Sequence, residues 1–153
     1  MTATVIDTSG GSGTVIRAAG LKVTAQRLAV LDVLTLSPHS SVDQVLPAVQ
    51  KRMPSISEQA VYGILGAFTA AGLVRRIASA GSPARYECRV GDNHHHLVCI
   101  SCGNIQDVDC VVGEAPCLTP SDAAGYTILS AEVTFSGLCA ECSIRPEMTD
   151  PTD

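Results

Sequence analysis

Cys99-Ile-Ser-Cys102 and Cys139-Ala-Glu-Cys142 are two CxxC pairs separated by 36 residues, and only Leu97-Val98 stands between the first pair and the run His94-His95-His96. A CxxC turn sets two thiolates on one side of a metal ion, at about 2.3 Å for zinc, so two such turns complete a tetrahedral shell. A thioredoxin-like redox centre needs one CxxC near a βαβ pattern and leaves the second pair unexplained. Disulfides are the other use of paired cysteines. Seven cysteines in a chain with no basic and apolar leader instead fit a reducing compartment, where thiols serve metals. The reading is a structural zinc held by Cys99, Cys102, Cys139 and Cys142. Cys88, Cys110 and Cys117 lie in neither pair and read as small hydrophobes or half-exposed thiols.

A catalytic zinc is a poor match. It needs an open coordination position, whereas four thiolates close the shell. A zinc deaminase would also show H-x-E and a proline before its CxxC, but here the triplet is all histidine and Val98 precedes Cys99. The chain is therefore expected not to be an enzyme and to take no small-molecule substrate.

The elements that must hold these ligands divide by charge. The formal net charge of the 153 residues is -5, yet residues 1–91 carry nine Lys and Arg against five acids, and 92–153 carry one against ten. The halves are thus +4 and -9, which reads as a basic module able to approach phosphates and an acidic one that phosphates repel. No run approaches the roughly 18 apolar residues of a membrane span, so a cytoplasmic protein is expected.

Residues 1–13 and 146–153 are poor in apolar side chains and are expected as disordered tails. A short helix from about Thr14 should end at Gly20, and Thr24 should cap a second helix bearing Leu28, Leu31 and Leu34. Ser41 should cap a third, with Val42, Val45, Leu46 and Val49 on one face. Pro47 implies that this helix is kinked or starts late. Ser57 should cap a fourth, bearing Val61, Ile64, Leu65 and Phe68 and stopping at Gly72. Residues 73–77 and 84–87 read as a hairpin. Helices followed by a basic hairpin are the order of a winged helix-turn-helix, expected over 14–90, whose last helix enters the major groove. Over 91–145 a small α/β unit is expected, with strands at 95–100, 105–108 and 126–135 and a short helix at 121–124. The fold class is α+β.

With these elements in place, the chain resembles the ferric uptake regulator family of metal-dependent bacterial repressors over roughly residues 14–143. The resemblance is carried by Gly20-Leu-Lys-Val-Thr-Ala-Gln-Arg27, Ala60-Val-Tyr62, Ala71-Gly-Leu-Val74, His94-His-His-Leu-Val-Cys99, Cys102-Gly-Asn-Ile105 and Gly137-Leu-Cys-Ala-Glu-Cys142. Through Asp109–Cys117 it is most similar to the actinobacterial FurA-type branch, associated with control of a catalase-peroxidase gene. The resemblance implies a homodimer on palindromic double-stranded operator DNA, with an N-terminal winged helix and a C-terminal dimerisation domain.

It further implies a regulatory metal on His39, Glu87, His94, His96 and Asp107, an N/O set suited to Fe(II), Mn(II) or Zn(II). Strand alternation places His95 on the face opposite His94 and His96. Peroxide sensors of the family place Asp where Asp107 stands, whereas Glu87 leans toward iron sensors. In the peroxide-sensing branch, bound iron and peroxide oxidise histidines that by position are His39 and His94. Zinc-uptake repression is the remaining alternative. A further metal site of the family is expected to be absent or degraded, since Asn93 and Ala131 occupy its histidine positions. Lys22, Arg27, Ser57, Gln59 and Tyr62 fall on DNA-facing positions. Gly63 stands where relatives commonly carry Arg, which removes one contact. Arg75, Arg76 and Arg85 on the hairpin could meet phosphates or could simply line a solvated edge.

Overall fold

The computed structural model describes residues 11–78, 81–91, 94–109, 122–127 and 133–144. Asn93, Cys110, Cys117, Ala131, residues 1–10 of the tail expected over 1–13 and the tail expected over 146–153 lie outside the described residues. The chain divides into two compact units, Met1–Asp92 and Asn93–Asp153.

The first unit follows its caps. Helix α1 spans Ser12–Ala18, two residues earlier than expected, and Gly20 turns the chain at φ 76. Ser12 and Gly13, read from sequence as tail, are thus its first turn, and the Ser12 hydroxyl donates to Asp32. Helix α2 is Ala25–Leu36, with the Thr24 side chain accepting from the Arg27 amide at 3.2 Å. Helix α3, Val42–Gln50, starts at the expected cap: Gln44 Oε1 reaches back to the Ser41 amide at 3.0 Å, and the helix runs through Pro47. Proline there removes one backbone bond and crowds the preceding turn, at a cost of about 3 kcal/mol. Val42, Val45 and Val49, all buried, offset that loss.

Helix α4, Glu58–Ala70, is capped by Ser57, whose hydroxyl accepts from the Ala60 amide at 3.1 Å. Gly72 ends it at φ 68, a left-handed position that glycine adopts without a Cβ penalty. The apolar faces of these helices close around Phe68, Leu65, Leu34, Val30, Val45, Val49, Val61 and Ile16, all without solvent exposure. The hairpin forms as β2 (Arg75–Ile77) and β3 (Arg85–Glu87), antiparallel with Arg75 opposite Glu87. A strand absent from the sequence reading, β1 (Ser40–Ser41), adds to its other side, giving the order β1-β3-β2.

The second unit is a three-stranded sheet in the order β5-β4-β6. Strand β4 is His95–Cys99, β5 is Ile105–Val108 antiparallel to it, and β6 is Thr134–Gly137 parallel to it. A single turn of helix, α5 (Ala140–Ser143), follows. Two expectations need correction. Within 122–127 the chain makes a turn rather than a helix: the Asp122 side chain takes the Ala124 amide at 2.8 Å, and Ala124 and Gly125 adopt positive φ. Of the strand expected over 126–135, Thr134 and Phe135 lie in β6, Tyr126, Thr127 and Val133 are in no strand, and 128–132 lie outside the described residues.

Candidate metal centres and nucleic-acid face

The four cysteines converge. Cys99 ends β4, Cys102 follows on the tight turn into β5, Cys139 follows β6, and Cys142 sits in α5. The turn closes through the Cys99 amide on the Asn104 carbonyl and the Gly103 amide on the Cys99 carbonyl, each at 2.9 Å. Gly103 takes φ 71 there. Parallel pairing of β6 with β4 sets Gly137 beside Cys99, which delivers the second CxxC to the first. All four sulfurs lie within 4.8 Å of one another, and Cys102 and Cys139 are 3.8 Å apart. A tetrahedral zinc with ligands at about 2.3 Å requires sulfurs about 3.8 Å apart. The cluster is therefore positioned for a zinc site.

Charge is prepared there as well. Amide groups of Cys102 and then Cys139 point at Cys99 and lower its thiol to about 6, against the desolvation that raises it. The Cys139 amide donates to Cys99 Sγ at 3.4 Å. Cys142 is pulled down by the Ser101 hydroxyl, but the sulfurs of Cys139, Cys102 and Cys99 together push it up to about 11. A divalent cation relieves such crowding of sulfurs, because the ligand it takes is the thiolate.

The expected N/O ligands form one group in each unit. In the first, His39 Nε2 meets Glu87 Oε2 at 2.8 Å. Glu87 is fully buried, and Arg75 lies 3.8 Å from its other oxygen. His39 adopts φ 60, a left-handed conformation that costs a non-glycine residue about 1 kcal/mol or more. In the second, His94 and His96 are buried, with rings 4.9 Å apart and nearly perpendicular. Their Nε2 atoms stand 3.8 and 3.5 Å from Asp107 Oδ1, separations too long for hydrogen bonds. They suit two ligand atoms each about 2.1 Å from one ion. Antiparallel pairing of β4 with β5 sets His96 directly opposite Asp107. His95 turns to the other face, its ring edge-on to Phe135 at 6.2 Å.

Of the residues expected at DNA, Ser57, Gln59 and Tyr62 are exposed at the start of α4, with Tyr62 half accessible, and Lys22 is exposed before α2. Arg27 is half-buried and donates to the Lys22 carbonyl at 2.7 Å, which braces the turn that presents Lys22. Two of the three hairpin arginines are engaged within the unit: Arg75 with Glu87, and Arg85 with the His39 carbonyl at 3.0 Å and Gln44 Oε1 at 3.3 Å. Arg76 is exposed. Sequence reasoning missed these pairings; the signal was the i, i+2 spacing of Arg85 and Glu87, which puts both on one side of a strand. Cys88 is half-buried beside the Thr35 hydroxyl, and burial pushes its thiol up to about 11.

The ferric uptake regulator family profile matches residues 18–136. The transcriptional regulator FurA of Mycobacterium tuberculosis is 57% identical over 129 residues, covering 84% of this chain and 88% of that protein. Among solved structures, the ferric uptake regulator of Pseudomonas aeruginosa with manganese is similar at TM-score 0.62 and 25% identity, covering 85% of this chain and 98% of that one. The Campylobacter jejuni peroxide stress regulator is similar at TM-score 0.61 and 26% identity, covering 83% and 93%. The chain belongs to the ferric uptake regulator family of transcriptional regulators, which are not enzymes.

Proposed function

We propose that the protein is a cytoplasmic, metal-dependent repressor that binds palindromic operator DNA as a homodimer and responds to peroxide and iron, controlling oxidative-stress genes such as a catalase-peroxidase. The single observation that carries the reading is the pair of ligand groups, His39 with Glu87 and His94, His96 with Asp107. Two or three ligands alone bind a divalent ion weakly, whereas the five together suit Fe(II) or Mn(II), or Zn(II) in the isolated protein. An ion shared by both groups would favour one arrangement of the two units over others, and ligand binding of that kind shifts the population toward the operator-competent form.

The chain's own residues account for the rest. Zinc on Cys99, Cys102, Cys139 and Cys142 anchors β4 to β6. Residues 14–90 serve as the DNA-binding domain and 91–145 as the metal-binding dimerisation domain. Among the described residues β6 is an outer strand with all four residues, Phe135 included, exposed, beside exposed Leu97 and Leu138. Such an edge calls for a cover, and a second copy supplies one. Lys22 and Arg27 approach the backbone, while Ser57, Gln59 and Tyr62 lie at the base edges.

Asp107 and the similarity to a peroxide stress regulator support the peroxide reading. Glu87 and the similarity to ferric uptake regulators support a second reading, an iron-uptake repressor. Operator binding by Fe(II) and Mn(II) protein before and after micromolar peroxide separates the two. Peroxide sensing predicts release from DNA by the Fe(II) form alone, with oxygen gained on His39 or His94 peptides. Fe(II) protein that stays bound and unmodified leaves the iron-uptake reading.

A further inference from the structure

His39 is the metal-ligand candidate with the least local support: it follows Ser37-Pro38 in a loop and holds a left-handed backbone. Strand β3 grips it at both ends. Glu87 meets its ring at 2.8 Å, and Arg85, two residues earlier, donates to its carbonyl at 3.0 Å. The same Arg85 nitrogen lies 3.3 Å from Gln44 Oε1, which also takes the Ser41 amide at 3.0 Å. Ser40 and Ser41 then pair with Tyr86 and Arg85 in register, while the Ser40 hydroxyl returns to the Ser37 carbonyl at 2.7 Å. One guanidinium therefore ties the His39 backbone and the start of α3 to the strand that bears Glu87.

We propose that Arg85 is a positioning residue for the regulatory ion, holding His39 in the conformation that presents its Nε2 beside Glu87, rather than a phosphate contact on the wing. This rests on the reading that His39 and Glu87 ligate that ion. Groups that orient a metal ligand change affinity by about 10- to 100-fold when removed, because the ligand must be ordered at the moment of binding. Mn(II) would meet a disordered His39 in the Arg85→Ala protein.

The test compares full-length wild type, R85A, R85K and H39A, each loaded with one zinc per chain, by Mn(II) titration read from the EPR signal of the free ion. For R85A we expect Mn(II) affinity to fall about 10- to 100-fold, with zinc content and the salt dependence of operator binding at saturating Mn(II) unchanged. Amide exchange at Ser40 and Ser41 should quicken in the R85A protein without Mn(II), and R85K should recover part of the affinity, since its ammonium can reach the same carbonyl. Wild-type Mn(II) affinity in R85A, with a salt slope shallower by about one, would identify a phosphate contact and overturn the proposal. H39A with wild-type affinity would overturn the reading of the site itself. Should R85A lose its helical signal, Gln44→Ala carries the test: a several-fold loss of Mn(II) affinity supports the clamp, and no change overturns it.

Discussion

The two units solve the problem of folding in different ways. In the first, the core is Phe68, Leu65, Leu34, Val30 and their neighbours, apolar side chains from four helices, the connecting residues Ile56, Leu73 and Val74, and the strand residue Tyr86. In the second, the buried residues among those described are Cys99, Ile105, His94 and His96, while Leu97, Ile100, Phe135, Leu138 and Ile144 stay exposed. Burial of apolar area drives the first, with Glu87 the charged group buried in it; among its described residues the second buries mainly candidate ligands and leaves most large apolar groups outside. On the proposed function, a unit of the second kind would draw its stability from an ion in the thiolate cluster and from a covering surface. The contrast assigns structure to burial in one half and to coordination in the other.

The largest effect should come from breaking the thiolate cage. Chelation under reducing conditions, or Cys99→Ser, should abolish protection of amides 95–99 and 134–137 in hydrogen exchange, since structural zinc supplies on the order of 10 kcal/mol in small domains. Amides of α2 and α4 should keep their protection. Protection retained in β4 and β6 would remove the structural role of the cage and with it the contrast.

Phe68→Ala should act in the opposite place. Removing a fully buried ring costs about 3–5 kcal/mol, so thermal melting of the first unit should fall while zinc stays at one per chain. A loss of zinc on that substitution would show that the units are not independent. Gln59→Ala on the exposed start of α4 should leave both melting and zinc content alone and weaken discrimination at one operator base pair by about 1–3 kcal/mol, read by competition with substituted operators. An equal loss on every sequence would make Gln59 a backbone contact instead. Smallest is Ser57→Ala, which removes the hydroxyl accepting from the Ala60 amide and should cost the first unit about 1 kcal/mol in denaturant unfolding.

How much of this was legible in the sequence follows the same division. Thr24, Ser41 and Ser57 announced the starts of α2, α3 and α4 because caps act within three residues, and Gly72 announced a stop for the same reason. The two CxxC pairs were legible because a metal demands its ligand types at fixed spacing. Strand β1 was not, since two serines become a strand only by pairing with Arg85 and Tyr86 more than forty residues away. The turn at 122–127 was misread because the Asp122 side chain outcompetes a helical bond for the Ala124 amide. The arginine partners of His39 and Glu87 also depend on distant register: an arginine bonded to a neighbouring loop and one free to meet phosphate have the same letters around them.

The most direct test takes protein with one zinc per chain already in place and measures operator affinity by fluorescence anisotropy, first with a chelator too weak to strip the cage and then with Mn(II) added anaerobically. A second ion that couples ligand groups to DNA binding should raise affinity roughly 5- to 150-fold, and His39→Ala should erase that gain while leaving zinc content intact. Equal operator affinity with and without the second ion would contradict the account.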